Sequence, residues 1–492
     1  MKTKYSLLIL AASSIIGLAS CKKYLDINEN PNQSTSSTAA LQLPTAELYI
    51  GQAIGDRLFE ITSVWNQYYT GGPGVSLGDW DKNTMSTTDV NQVWNNLYRS
   101  NSNLEYIIKK TNEPYYAAIS HILIGYNMQL IADLFGDAPY SDALKGDISD
   151  GLVVSPSYNN AKDVIYPGIE SRIKQGLAML DTVNASLSQP GANDLIYPND
   201  GDLDTWKDHW RKFANSLLLK LYVRQGAGGK VTALYNSGAE FIMLNDDIAK
   251  IDYPGDAKGK NPFWTDAKST SLGNYFVASK TTIDYLTNTS DPRIGKFFNA
   301  NGAGQHVGLK QGDVENSPST ADYSRPNGAK AAAGGLIFSP TAPVILLSPW
   351  EVDFLLAEAA AKGWIPESAE DLYDAAVEVN GEYLGVSVAA ITTYLGGSGA
   401  FNAATPIKSI ALQKWASMNG LQPVESWIET RRYDNTTNPI FMSPGGLFQA
   451  PTNNVLGGNN FPTILFYPAT EQDLNKNFPG QHTLTGKVFW DI

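Results

Sequence analysis

The chain contains a single cysteine, Cys21, and that limits how it can be stabilised. One cysteine cannot close an internal disulfide, leaves no Cys-x-x-Cys zinc clip, and puts no thiol nucleophile in the body of the chain. Everything after it must be held by core packing. Roughly 470 residues suffice for one large or two medium domains. Hydrophobic residues make up 43% and charged residues 17% of the sequence, which favours a packed core over disorder. Ahead of the cysteine stand Lys2 and Lys4, then a short apolar run (Leu7, Leu8, Ile9, Leu10, Ile15, Ile16, Leu18), then Leu18-Ala19-Ser20. A basic start, a short apolar middle and small residues at the cut point read as a secretory signal over 1–20, too short to span a bilayer permanently. No later stretch reaches the ~18 uncharged apolar residues that a spanning helix needs.

Cys21 coincides with the expected cleavage point, and the segment resembles a bacterial lipoprotein box, in which the cysteine becomes the lipidated first residue. The expected organisation is therefore signal 1–20, lipidated Cys21 with a polar Ser/Thr-rich tether to residue 38, and a single domain over 39–492. Net charge is −13, and loss of Lys2 and Lys4 makes the mature body more acidic still. A body so acidic does not suit nucleic acid, whose phosphates need a basic face, nor adsorption to anionic lipid. Lipid, not a spanning helix, would make the membrane contact.

Apolar periodicity predicts helices over 39–60, 88–110, 115–134, 161–183, 206–225, 231–243, 349–362, 367–384, 405–419 and 421–432. Gly136 and Pro139 stop the third, because glycine tolerates the left-handed cap and proline cannot continue the ladder. Residues 250–345 are rich in Gly, Pro, Asn and Ser and read as an irregular lobe with short strands. The tail 434–492 is again loop-rich. The best-defined unit is 348–385. Ser348 is placed to cap, Pro349 suits the first turn, and Glu351 completes a capping box. Gly363 and Trp364-Ile365-Pro366 then turn the chain into a second helix. This helix pair is about as long as a tetratricopeptide repeat, ~34 residues. The fold class is mostly α: tetratricopeptide-like helix pairs with an irregular, loop-rich lobe carrying a few short strands.

Motifs with chemical meaning are sparse. Gly74-Val-Ser76-Leu-Gly78 matches a serine-hydrolase elbow literally, but lacks the strand before and helix after that such an elbow needs. His121, His209, His306 and His482 have no metal-ligand spacing. Asp26-x-Asn28-x-Asn30 and Asp200-x-Asp202-x-Asp204 begin like calcium loops. They lack the glycine at the sixth position and the bidentate glutamate at the twelfth. An acidic turn capping the next helix is favoured over a looser structural calcium site at the aspartates. No cofactor and no catalytic pair is expected.

Several segments, in order, resemble the SusD/RagB family of Bacteroidetes outer-membrane lipoproteins. They are Cys21 with Tyr24-Leu-Asp-Ile-Asn-Glu-Asn-Pro31-Asn32, Asp133-Leu-Phe-Gly-Asp-Ala-Pro-Tyr140 running on to Gly146, and Trp210-Arg-Lys-Phe through Leu221. Next come Asp291-Pro-Arg293 and Glu351-Val-Asp-Phe-Leu-Leu-Ala-Glu through Trp364. Gln413-Lys-Trp415, Glu429-Thr-Arg-Arg432 and Phe466-Tyr-Pro468 with Glu471, Asn475 and Asn477 complete the set. The resemblance implies four tetratricopeptide-like pairs supporting a variable ligand-binding lobe. It also implies a place at the cell surface as the lid of a SusC-like TonB-dependent transporter, which receives oligosaccharides or, in some systems, peptides. Most motif residues would be scaffold: Leu355, Ala359 and Trp415 as core, and Arg431-Arg432 with Glu429 as a buried or interface ion pair.

The segment Trp65-Asn66-Gln67-Tyr68-Tyr69-Thr70 through Gly71-Gly-Pro-Gly to Asp79-Trp80-Asp81-Lys82-Asn83 combines aromatics, amides and acids on a glycine-rich loop. Aromatic faces stack on sugar rings while amides and carboxylates bond hydroxyls. A tryptophan between two aspartates is expected to be exposed. The candidate ligand contacts are Trp80, Asp79 and Asp81. The resemblance adds Tyr69 and, from the lobe, Trp264, Tyr275 and Tyr323. Trp65 and Tyr68 belong to the core face of the preceding helix. The expected role is capture and delivery without catalysis. The rivals are a glycan-degrading surface lipoprotein and a purely structural scaffold.

Overall fold

The computed structural model describes residues 37–491, apart from 73–76, 78, 147–150, 183–185, 270–274, 314–318, 329–334 and 436. Cys21, the tether up to residue 36, the Asp26–Asn30 segment and most of the Gly74–Gly78 motif lie outside the described residues. Helix Ala39–Gly55 opens the fold, and Ser37 just before it donates its backbone N–H to the Tyr106 hydroxyl at 2.9 Å. The predicted 39–60 helix is broken. Asp56, at φ −107 and ψ −129, leaves the helical region, and a new helix runs Arg57–Trp65.

The helix pairs follow. Asn91–Lys110 packs on Pro114–Phe135, Tyr166–Thr182 on Leu203–Arg224, Pro349–Ala361 on Ala369–Tyr383, and Pro406–Ser417 on Pro423–Tyr433. Successive pairs stack: Pro114–Phe135 lies against Tyr166–Thr182, and Pro349–Ala361 touches both Leu203–Arg224 and Pro406–Ser417. The final helix of these pairs, Pro423–Tyr433, returns to Arg57–Trp65. The mostly α, tetratricopeptide-like expectation holds. Close stacking rests on small residues: a Cβ on Gly125 would sit 2.7 Å from Ile173 Cγ1, inside any real carbon contact, so only glycine lets these helices approach.

Several boundaries differ from the periodicity. The 231–243 helix is Gly228–Asn236, ending before Gly238 at φ +76. The capping box at Ser348 is only half formed. Ser348 Oγ accepts the Glu351 N–H at 3.3 Å, but the Glu351 carboxylate turns inward, to Lys220 and Gln422. The Asp202 carboxylate caps Leu203–Arg224 by accepting from Asp204 N, Thr205 N and Thr205 Oγ1. That is the helix-capping acidic turn the sequence favoured.

The 250–345 lobe leaves and returns through one antiparallel ribbon, β2 (Ala249–Ile251) with β4 (Val344–Leu347), so its ends are side by side. It is more helical than its composition suggests, with helices Pro262–Ser269, Lys280–Asn288 and Ile294–Phe297. A second ribbon, β1 (Tyr69–Gly71) with β3 (Phe276–Ala278), stitches the aromatic loop to the lobe. Arg293 locks the lobe to the helix pairs. Its guanidinium grips Asp291 through Nε and Nη2 at 2.9 and 2.6 Å, and reaches Asn380, Ser417 and Gln413 at 2.7–2.9 Å. The loop-rich tail carries the short helix Ala469–Leu474.

The family-like segments converge at one place. Lys220, Arg224, Lys414 and Arg432 interleave with Asp133, Glu351, Glu358, Glu425 and Glu429, with side chains 8% exposed or less. Burial alone would raise the Glu358 carboxyl, but Arg432 overrides it and holds it at about 2. Arg431 donates to the Asp133 carbonyl at 2.8 Å and stacks over Trp427 at 4.2 Å. Both arginines are internal, as expected for Arg431-Arg432. Buried charges are tolerated only when paired and hydrogen-bonded, which explains why acids and bases from distant segments recur together.

Candidate functional site

The helix break at Asp56 opens a cleft of about 640 Å³ between the end of Ala39–Gly55, the start of Asn91–Lys110, and the 253–266 segment of the lobe. Gln52, Gln92 and Asn96 contribute carboxamides, Asp56 and Asp266 carboxylates, Lys258 and Lys260 ammonium groups, and Tyr253 an aromatic wall. Tyr253 reaches the wall because Gly51 opposite it has no side chain: a Cβ there would lie 2.5 Å from the Tyr253 hydroxyl. Trp264 is half-buried on Pro262–Ser269, with Lys260 Nζ 5.3 Å from its ring.

The floor is a charged cluster. Arg57 pairs with Glu60 at 2.9 Å and with Asp266 at 3.1 Å. Burial pushes the Glu60 carboxyl well above its ordinary range, against the pull of Arg57 and with help from the Asp266 and Asp56 charges. Burial, reinforced by Asp266, raises Asp56 to about 6. Burial and the neighbouring carboxylates thus push Asp56 and Glu60 toward their neutral forms, with Arg57 opposing the shift. Among the described residues no group of three or more His, Cys, Asp or Glu side chains is arranged to hold a metal ion.

The sequence-derived candidates fall on both sides of this cluster. Trp80 is not exposed as expected but 6% exposed, and Arg57 lies 5.1 Å over its ring. It sits in a 3-10 turn, Trp80–Lys82, where successive side chains diverge by a third of a turn, so flanking acids do not dictate the middle residue's direction. Asp79 points to solvent. Asp81 turns in and is 1% exposed, accepting from Thr70 Oγ1 at 2.9 Å and from the N–H groups of Gly71 and Leu77 at 3.1 Å. Burial raises its carboxyl, and those donors hold it back. Asp81 therefore staples the loop. Tyr69 is 0% exposed, its ring edge-on to Phe276 and Phe298, because β1 is covered on both faces. Tyr275 is half-buried, and its carbonyl accepts the Gly72 N–H at 2.6 Å. Tyr323 is 8% exposed and packs in a separate small cluster with Val277 and Leu309. Trp65 and Tyr68 are core, as expected.

Arg57 thus joins the Trp80 turn to the Trp264 helix, through Trp80 on one side and Asp266 on the other. The periodicity missed Gln52, Asp56, Arg57, Gln92, Asn96 and Tyr253. The visible signal was Asp56-Arg57, a charged pair interrupting an otherwise apolar helical run.

The sequence matches, over residues 31–468, the SusD-like family described as starch-binding associating with outer membrane. No curated protein matches it. Solved structures match over almost the whole chain. A chitin-binding protein is 24% identical, with 92% of this chain and 100% of that chain covered and a TM-score of 0.74. A susd/ragb family protein from Bacteroides thetaiotaomicron is 21% identical, covering 93% and 99%, with a TM-score of 0.73. A chitin-binding SusD homolog from Flavobacterium johnsoniae is 19% identical, covering 92% and 98%, also at 0.73. At these identities the structures speak for the fold. With the family match spanning most of its length, this chain belongs to the SusD-like family of starch-binding proteins that associate with the outer membrane.

Proposed function

We propose that the protein is a lipid-anchored capture protein of the cell surface, taking an oligosaccharide into the Asp56 cleft and handing it to a SusC-like TonB-dependent transporter. The observation that carries this reading is the cleft's lining: carboxamides from Gln52, Gln92 and Asn96, carboxylates from Asp56 and Asp266, and an aromatic face from Tyr253, with Trp264 beside the lining on the Pro262–Ser269 helix, its ring 5.3 Å from the Lys260 ammonium. Sugar hydroxyls both donate and accept, so a mixed wall of amides and acids pairs with them. Flat rings take the apolar C–H faces. An open cleft also suits handover, which needs quick release more than tight affinity. Arg57 bridges Asp266 and Glu60 beneath the cleft and so shapes its floor; in keeping with a family described as binding proteins, we read the protein as a binder and not a hydrolase. Cys21 would hold it to the outer membrane through its acyl chains.

Titration calorimetry of purified residues 22–492 against a glycan panel tests the cleft. Trp264→Ala and the double change Gln52→Ala with Gln92→Ala should each weaken binding of any glycan that binds, at unchanged melting temperature. Binding untouched by both would remove the cleft from the mechanism. Release of shorter sugars by the purified protein would favour the glycan-degrading alternative.

A further inference from the structure

A second pocket lies within the first helix pair, far along the sequence from the Asp56 cleft residues of the lobe. It has a volume of about 190 Å³ and is roofed by residues 140–145 of the Asp133–Gly146 segment. Three features set it apart. Its charge is inverted relative to the acidic chain: Lys109, Lys145 and Arg172 line it, with Glu105 as the one acid among the lining residues. Asp142, outside the lining, pairs with Lys145 at 3.3 Å. Its floor carries a poorly satisfied donor. Asn101 is 1% exposed and its oxygen accepts from Asn127 at 2.9 Å, while its Nδ2 has the Met128 thioether at 3.3 Å, a weak acceptor. Its roof is strained: Leu144 has φ +64, a left-handed conformation that a branched side chain adopts only at a cost, and one found at ligand-clamping loops.

Arg172 is pre-organised. It pairs with Glu105, and its Nη1 meets His121 Nδ1 at 3.2 Å. Burial, aided by Arg172, lowers His121 to about 4, so the ring is neutral and accepts from the guanidinium at working pH. The roof is pinned where the Tyr140 and Ser141 N–H groups both donate to Asn159 Oδ1, at 3.0 and 2.8 Å.

We infer that this pocket binds a single acidic sugar ring, a hexuronate whose carboxylate meets Arg172 and Lys145 and whose hydroxyls meet the Asn101 amide. The volume equals about six waters at roughly 30 Å³ each, room for one pyranose and not for a chain. Inverted charge and an underused amide donor select a carboxylate with neighbouring oxygens. That the carboxylate is borne by a sugar rests on the carbohydrate reading above; that the ligand is anionic rests on the pocket alone.

The probes are galacturonate, glucuronate, galactose and acetate, titrated into residues 22–492 at low and high salt. One or both hexuronates should bind, more weakly as salt rises, with galactose and acetate silent. The double change Lys109→Gln with Lys145→Gln, at one exposed and one half-buried position, should weaken hexuronate binding about tenfold, ~1.4 kcal/mol. Trp264→Ala should leave it unchanged. The inference is overturned if neither hexuronate binds, if galactose or acetate binds equally, or if the lysine double variant binds as the parent does. The cleft reading stands or falls separately, on whether neutral glycans bind and lose affinity in Trp264→Ala.

Discussion

Replacing Arg293 by methionine tests whether one side chain holds the lobe to the helix pairs. Arg293 and Asp291 are both fully buried. The guanidinium makes a two-point pair with Asp291 and further bonds to Asn380, Ser417 and Gln413. Methionine fills most of the volume but leaves the Asp291 carboxylate with the Arg293 backbone N–H at 2.9 Å in place of the fork. Breaking a buried pair by removing one partner costs about 3–5 kcal/mol, because the remaining charge is dehydrated and uncompensated. Asn380 and Gln413 keep the bonds donated by their amide nitrogens, to Ser417 O and Tyr394, but Asn380 Oδ1 and Gln413 Oε1 lose the Arg293 donor; as neutral acceptors they add less than the Asp291 carboxylate. The double variant Asp291→Leu with Arg293→Met removes both charges and should recover much of it. Urea unfolding of both variants and the parent gives the cycle, and limited proteolysis within 294–343 reports whether the lobe loosens first. A single-variant loss below about 1 kcal/mol, or a double variant less stable than the single, would refute the argument that an uncompensated carboxylate sets the cost.

Asp81→Ala should lower stability by about 1–3 kcal/mol, through orphaned Gly71 and Leu77 N–H groups, and should speed amide exchange at both positions; unchanged exchange would deny the staple role. Glu47 is 0% exposed, with its carboxyl raised well above normal by burial and by Asp194. A raised folded pKa gives stability that is full below the unfolded value and lost as pH climbs through the folded one. Glu47→Gln should therefore flatten the decline that sets in above the ordinary glutamate range while keeping the Leu195 N–H bond; a parent-like pH profile would contradict it. Asp56 follows the same sign with its pKa near 6, so Asp56→Asn should remove a loss of stability between about pH 4 and 6 seen in thermal melts. Cys21→Ala should bind glycans normally in solution yet fail to support uptake by cells; lost binding in solution would break the proposed division between anchor and cleft.

Helices were legible because their information is local and repetitive. Val93, Trp94, Leu97, Leu104 and Ile107 recur at helical spacing and are all buried on one face. Break points were less legible. Asp56 ends a helix in the middle of an apolar run, and the local signals are slight: Gly55 just before it and the Asp56-Arg57 charges. The lobe is irregular with short strands, as its glycines and prolines indicate, and its short helices are the part they conceal: Pro262 stands at the start of a helix, where proline is tolerated, and Lys280–Asn288 is tied to the aromatic loop by Thr281 and Thr282 hydroxyls donating to Gln67.

The site was the least legible part, and Trp80 shows why. Composition correctly marked residues 65–83 as unusual, with aromatics, amides and acids crowded on a glycine-rich stretch. Direction is a tertiary property. Tyr69 faces Phe276 and Phe298, more than two hundred positions later, Asp81 spends its carboxylate on its own loop, and Arg57 lies over the Trp80 ring. Once those bonds are made, the polar groups left facing the cleft are ones that look ordinary in sequence: Gln52 and Gln92, exposed on scaffold helices, and Asn96, buried one turn further along. A binding wall built from unremarkable residues of two helices and one loop has no local signature. It becomes visible only when the Asp56 break sets the helix ends apart and the 253–266 segment closes the third side.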